Sequence, residues 1–174
     1  MPSLTSSATD KIYYWKKHSR KEFNRPKWDT VFLSAAFETA KRSHDAQTCC
    51  GAVLTTPEHR QLCTGYNGFM RDIDDSILPN LRPDKYTWML HAERNVLLSC
   101  AYQGISTKGC IMYVTGEPCL DCYQHMYQAG ITEIVYGDNQ AVMTKTDEDY
   151  KTNVEIFLWL TRKNLKVRHE DFGV

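Results

Sequence analysis

From residue 89 onward the chain alternates three times between a segment of helical periodicity and a short strand-forming run, and that order constrains its fold more than any other feature. Residues 89–103 read as a helix closed by Gly104, and residues 110–115 (CIMYVT) as a buried strand. Residues 119–129 read as a second helix, ended by Gly130 and followed by the strand ITEIVYG. Residues 147–163 place Tyr150, Val154, Phe157 and Thr161 on one helical face, and LKVRH supplies a last short strand. A strand that re-enters a sheet through a helix runs parallel to its predecessor, by a right-handed crossover. Ahead of this series, Val31, Phe32, Ala35, Ala36, Thr39 and Ala40 mark one face of a helix that starts at Trp28. CCGAVLT (49–55) and QLCTGY (61–66) flank the turn-like TPEHR and are expected to pair as an antiparallel hairpin. Together these segments predict an α/β fold, a three-layer α/β/α sandwich around a five-stranded mixed sheet. The polar stretch between the hairpin and the helix at 89, residues 67–85, is long enough to be read as functional.

Composition narrows the function classes. With 174 residues, 42% hydrophobic, the chain carries enough apolar material for one sizeable core. Its 21 basic and 21 acidic side chains cancel, which excludes the low-hydrophobicity, highly charged class of disordered chains. Zero net charge also counts against binding dominated by phosphates of a polynucleotide, so no nucleic-acid partner is expected. The balance conceals an asymmetry: residues 11–27 hold seven Lys or Arg and one Glu, leaving 14 basic against 20 acidic side chains elsewhere. The chain is accordingly divided into a basic N-terminal arm, residues 1–26, and a single domain, residues 27–174. No window approaches the roughly 20 consecutive apolar residues of a membrane span, and MPSLTSSATD lacks the regions of a secretory signal. A cytoplasmic protein with no membrane contact is therefore expected, and seven cysteines, an odd number, suit reduced thiols rather than a disulfide framework.

The chemistry lies in two motifs, His91-Ala92-Glu93 and Pro118-Cys119-Leu120-Asp121-Cys122, with 27 residues between His91 and Cys119. A lone Cys-x-x-Cys is ambiguous between a redox pair and half of a zinc knuckle, and no second one exists here. Positions i and i+3 of a helix project only about 60° apart, so Cys119 and Cys122 can hold one ion from a first turn, with Pro118 placed to start it. The positive end of a helix eases ionisation of thiols there. His91 makes a third ligand, and three protein ligands leave a fourth tetrahedral position to water, the pattern of a catalytic zinc site. Two thiolates neutralise the ion, which then acidifies water less than an all-His site does, so a nearby base is required. Glu93 is that base by position. Because i and i+2 lie about 200° apart on a helix, His91 and Glu93 share a site only if His91 sits at the helix entrance, in the first turn. His125 continues the cysteine spacing but lies about 120° from Cys119 around the helix, and is not expected to be a ligand. Cys49, Cys50, Cys63, Cys100 and Cys110 read as buried small hydrophobes.

His-x-Glu followed by Pro-Cys-x-x-Cys is the signature of zinc deaminases that act on nucleobases. In order, WDTVFLSAAFETAKRSHD, CGAVL, TGYNG, KYTWMLHAERN, GCIMYVTGEPCLDC and QAGITEIVYG, spanning Trp28 to about Arg168, resemble the deoxycytidylate (dCMP) deaminases of the zinc-dependent cytidine/deoxycytidylate deaminase family. The resemblance implies a cytidine-deaminase-like fold, a homo-oligomer that is commonly a hexamer, and hydrolysis of dCMP to dUMP and ammonia, which supplies dUMP for thymidylate synthesis. It also brings regulation by nucleotide effectors, dCTP activating and dTTP inhibiting, as an expectation.

Carried over residue by residue, the resemblance makes His91, Cys119 and Cys122 the ligands of one Zn2+ per subunit. It makes Glu93 the catalytic residue, which takes a proton from the attacking water, delivers it to the neighbouring ring nitrogen and protonates the departing ammonia. Asn67, in the Gly-Tyr-Asn-Gly turn, matches the position that holds the sugar hydroxyl of substrate; a turn Asn tolerating a left-handed backbone is the other reading. Arg71, Arg82 and Lys85 are the candidates for the substrate phosphate, with Arg94 and Arg42 behind them. Gly68 and the acidic run Asp72, Asp74 and Asp75 are read as an effector loop in which Mg2+ bridges carboxylates to a nucleotide. Two departures bear on the substrate: Glu117 precedes Pro118, as in tRNA adenosine deaminases, and Gln140 stands where some dCMP deaminases place a substrate-contacting Tyr. The alternatives are a deaminase of another cytosine nucleoside or nucleotide or of adenosine in tRNA and, outside enzymes, a zinc-stabilised interaction module.

Overall fold

Strand formers and helix faces assemble in the expected order. The computed structural model describes residues 5–18, 25–139 and 148–171. A first helix, α1 (Ser6–His18), precedes α2 (Trp28–Ala40), the hairpin β1 (Gly51–Thr55) and β2 (Gln61–Tyr66), and then α3 (Ala92–Gln103), β3 (Ile111–Val114), α4 (Leu120–Gln128), β4 (Glu133–Tyr136), α5 (Glu148–Thr161) and β5 (Lys166–His169). The sheet order is β2-β1-β3-β4-β5. β1 pairs antiparallel with β2 and β3, while β3–β4 and β4–β5 are parallel, as helical crossovers require.

Alternation along the strands divides the core in two. Phe32, Leu33 and Ala36 of α2 pack against Val53, Ile111, Tyr113 and Val135 on one face of the sheet. Ala52, Leu54, Met112 and Ile134 face the other way, against Val96 and Cys100 of α3, Tyr123 and Met126 of α4 and Val154 of α5. The result is the three-layer sandwich, and two glycines set its closest approaches. A Cβ on Gly51 would lie 2.0 Å from the Ala36 carbonyl oxygen, and one on Gly65 would lie 2.8 Å from that of Ala92. The second contact seats the start of α3 directly on β2, between His91 and Glu93.

The differences from expectation have local causes. Residues 89–91 do not join α3, because Leu90 is already bonded in both directions to Gly68, its N–H donating at 2.9 Å and its carbonyl accepting at 3.1 Å. The helix instead starts at Ala92 and stops, as expected, at Gly104, whose φ of 68° favours a residue without a Cβ. The stretch 67–85 is mostly irregular but contains short 3₁₀ turns at Asp75–Ile77 and Asp84–Thr87. The basic arm contains a helix, α1, that buries none of its side chains and places Lys16, Lys17 and His18 at its C-terminal end, where cations suit the helix dipole. All seven cysteines are free; Cys49 is exposed rather than buried, since β1 begins two residues later. Among the described residues no helix is long and apolar enough to cross a membrane.

Candidate functional site

The starts of α3 and α4 meet, and each is preceded by a side chain able to ligate a metal. His91 is the N-cap of α3 (φ −69°, ψ 156°) and Cys119 the N-cap of α4 (φ −71°, ψ 160°). Both stand one residue ahead of the helix rather than in its first turn. Extended backbone at these positions frees His91 from the 200° divergence that a helix would impose between it and Glu93. His91 Nδ1 lies 3.5 Å from Cys119 Sγ and 3.4 Å from Cys122 Sγ, and the three donors all fall within 4.8 Å of one another. Around a tetrahedral zinc, nitrogen and sulfur ligands stand roughly 3.6 Å apart. The donor set therefore fits that ion in both chemistry and spacing.

The groups are electrostatically coupled. The Cys119 thiol is held down, to about 4, by the hydrogen bond from Cys122 and then by His91, against the penalty of burial. Cys122 is pushed up by the other end of the same bond and by burial. His91 is raised, first through its bond to Cys119. Glu93, only 5% exposed, has its carboxyl raised by burial above all. Arg94 on α3 pairs with Asp121 on α4, tying the two helix starts together.

His91, Glu93 and Cys119 line a cavity of about 460 Å³, and a second polar group lines it too. Lys85, 3% exposed, places its ammonium 2.6 Å from both carboxylate oxygens of Asp45, itself 6% exposed. The Asp45 carboxylate also accepts the Gln47 and Thr48 backbone N–H groups, at 2.8 and 3.0 Å, and the Asn67 amide at 3.0 Å. Asn67 Nδ2 further donates to the Thr48 carbonyl at 2.8 Å, while its Oδ1 accepts from Cys50 N–H and Ser43 Oγ, both at 2.7 Å. Every donor and acceptor of that amide is thus engaged. Arg82 completes this part of the wall; its Nη2 donates to Thr48 Oγ1 at 3.2 Å, and its Nε is buried with no hydrogen-bond partner among the described residues.

A family model described as the cytidine and deoxycytidylate deaminase zinc-binding region matches residues 26–138, which contain both motifs. The chain belongs to the cytidine and deoxycytidylate deaminase family. Among curated family relatives, it is 33% identical over 132 residues to a probable deoxycytidylate deaminase of Drosophila melanogaster, covering 70% of this chain and 63% of that protein. It is 34% identical over 115 residues to human deoxycytidylate deaminase, covering 63% of this chain and 64% of the human one. The chain thus spans under two thirds of the length of these deaminases. Its fold is that of the dCMP deaminase from cyanophage S-TIM5, solved in complex with dCMP and dUMP, with a TM-score of 0.63 at 20% identity, covering 85% of this chain and all of that one.

Within this deaminase fold the expected site residues separate. His91, Glu93, Cys119, Asn67, Lys85, Arg82 and Arg94 all line the cavity. Arg71 does not, and stacks its guanidinium 4.1 Å over the Tyr102 ring. The acidic run does not converge on a cation. Asp74 accepts from Ser76 N–H and Oγ, Asp75 pairs with His44 at 3.0 Å, and Asp72 occupies a turn at φ 61°. Among the described residues, His91, Cys119 and Cys122 form the one group of three or more side chains placed to share an ion. That arrangement gives no support to the expected Mg2+ site. His125 bonds the Asp121 carbonyl at 2.6 Å, outside the ligand set as expected. Gln140 lies outside the described residues. Sequence reasoning undervalued Asp45; the available signal was Asp-Ala-Gln-Thr just past a helix, a pattern in which the carboxylate caps the following N–H groups.

Proposed function

We propose that the chain hydrolyses dCMP to dUMP and ammonia. The observation that carries this reading is the donor trio, His91 Nδ1 standing 3.5 and 3.4 Å from the sulfurs of Cys119 and Cys122, with His91 and Cys119 lining one cavity with the buried Glu93. The relatives named deoxycytidylate deaminase direct it to dCMP. His91, Cys119 and Cys122 hold zinc, which when bound supplies the Lewis acidity that makes water a nucleophile near neutral pH. Glu93 accepts a proton from the attacking water and passes it to the ring nitrogen beside the amino-bearing carbon as the new C–O bond forms. It then transfers the second water proton to the amino group, the C–N bond breaks, and ammonia leaves behind a carbonyl.

The remaining wall binds the rest of the nucleotide. Asn67 takes the sugar hydroxyl through Oδ1; Ser43 Oγ can yield that acceptor because it also lies 2.7 Å from the Asn67 carbonyl oxygen. Of the cations considered for the phosphate, Arg82 is favoured, because Lys85 is committed to Asp45 and Arg71 does not line the cavity. The exposed apolar residues Ile156, Trp159 and Leu160 on α5 support a homo-oligomer. Hexamer formation, control by dCTP and dTTP, and an effector role for the loop at Gly68 and Asp72–Asp75 enter this reading through the family resemblance alone.

The test offers purified protein dCMP, deoxycytidine, dCTP and tRNA separately, each with and without dCTP or dTTP as effector. Ammonia release from dCMP in preference to the others is expected. A preference for the free nucleoside would overturn the nucleotide assignment, and turnover of tRNA alone would shift the reading to adenosine, the substrate that Glu117 beside Pro118 suggests.

A further inference from the structure

The helix that carries both cysteines begins without a side-chain cap. Cys119, at its N-cap, makes no capping hydrogen bond, and its sulfur faces His91 instead. The first N–H groups of any helix lack partners within it. Here the first of them, on Leu120, donates at 2.8 Å to the hydroxyl oxygen of Tyr150, 30 residues away in the first turn of α5. That hydroxyl is delivered by a firm support. The Tyr150 ring packs on the core, and the Phe157 ring, further along α5, lies 6.0 Å from both Tyr123 and Tyr127 of α4.

We propose that Tyr150 is a positioning residue for the metal centre. Its hydroxyl fixes where α4 starts, and so keeps Cys119, the residue immediately before the bonded N–H, in register with His91 and Cys122. Without that acceptor the start of α4 unwinds by a residue and Cys119 leaves the donor set, while His91 ahead of α3 and Cys122, two residues inside α4, stay behind. The inference rests on the zinc reading given above.

The test compares the intact protein with Tyr150→Phe and Phe157→Leu, measuring zinc affinity by competition with a chelator and, after cobalt substitution, the thiolate-to-metal absorption band. Tyr150→Phe is expected to weaken zinc binding by about tenfold, as loss of a supporting hydrogen bond does at other metal sites, and to reduce the cobalt band. Phe157→Leu, which loosens the same helix pair without touching the Leu120 N–H, is expected to lower the melting temperature and leave zinc affinity unchanged. Wild-type affinity and cobalt band in Tyr150→Phe would overturn the proposal. So would equal zinc loss in Phe157→Leu, which would assign the effect to packing. A wild-type protein that takes up neither metal would instead refute the zinc reading itself, and is recognised because the failure precedes any substitution.

Discussion

The metal centre and the loop-built wall line one cavity, yet they are assembled on opposite principles. The first gathers an imidazole and two thiols whose combined chemistry calls for an ion from outside the chain. The second is built on a carboxylate and an ammonium that satisfy each other, Asp45 and Lys85, with Asn67 Nδ2 donating to the same carboxylate. A donor set that the chain does not complete is machinery for a ligand. A closed pair is a frame: Lys85 on Asp45, with the Arg82 backbone N–H on Gln47, holds residues 82–85 against residues 45–47 so that the wall keeps its shape.

That contrast can be broken by substitution. The largest effect is expected at Glu93: Glu93→Gln should cut turnover by about 10²–10⁴-fold, the range for loss of a general acid–base, with zinc content unchanged by metal analysis. Retained turnover in a zinc-loaded variant would remove Glu93 from the mechanism. In the frame, Lys85→Met leaves a buried carboxylate unpaired and should cost about 3–5 kcal/mol of stability in urea unfolding. Adding Asp45→Asn should recover part of that loss, and a change under about 1 kcal/mol for Lys85→Met would mean the network is no frame. Arg82, in the same wall but with an unpartnered Nε, should behave as machinery. Arg82→Ala should lower kcat/KM for dCMP by about 10–100-fold, the worth of a hydrogen bond to a charged group, and leave deoxycytidine turnover as it was.

The smallest effect provides a baseline from an ion pair outside the cavity. Burial alone would raise the Asp29 carboxyl, but the Arg168 guanidinium, with help from Tyr113 and Lys166, more than offsets it and holds the group below its ordinary 3.8. A depressed carboxyl stabilises the fold above its unfolded value and loses that contribution as pH falls through the folded one. The melting-temperature gap between wild type and Asp29→Asn should therefore be constant near neutrality and shrink only below pH 3.8. A gap that persists in stronger acid would show that Asp29 acts through packing rather than charge.

The two regions also differ in how far the sequence reveals them. The grouping of His91, Glu93, Cys119 and Cys122 was legible because side chains gathered at helix starts are encoded by spacings of two and three residues. The order of strands and helices was legible too, since hydrophobic period and glycine stops are local. The pairing of Lys85, a phosphate candidate from its sequence position, is hidden in the sequence because its partner Asp45 lies 40 residues earlier in the chain, and nothing near either residue announces the other. The start of α3 was placed three residues early for the same reason: Leu90 is withdrawn from the helix by Gly68, across the long loop. Tyr150 read only as part of an apolar face, and its bond to Leu120 depends on how α5 lies over α4.

By itself the sequence determined the α/β/α architecture, the family and the gathering of His91, Cys119 and Cys122 beside Glu93, because these depend on periodicity and on side-chain chemistry at short range. Tertiary structure alone decided which charges are spent inside the fold and which face the cavity. A buried ammonium and a cavity-lining guanidinium look alike in a string of residues; only the partner brought beside each separates Lys85, paired by Asp45, from Arg82, whose Nε has none among the described residues.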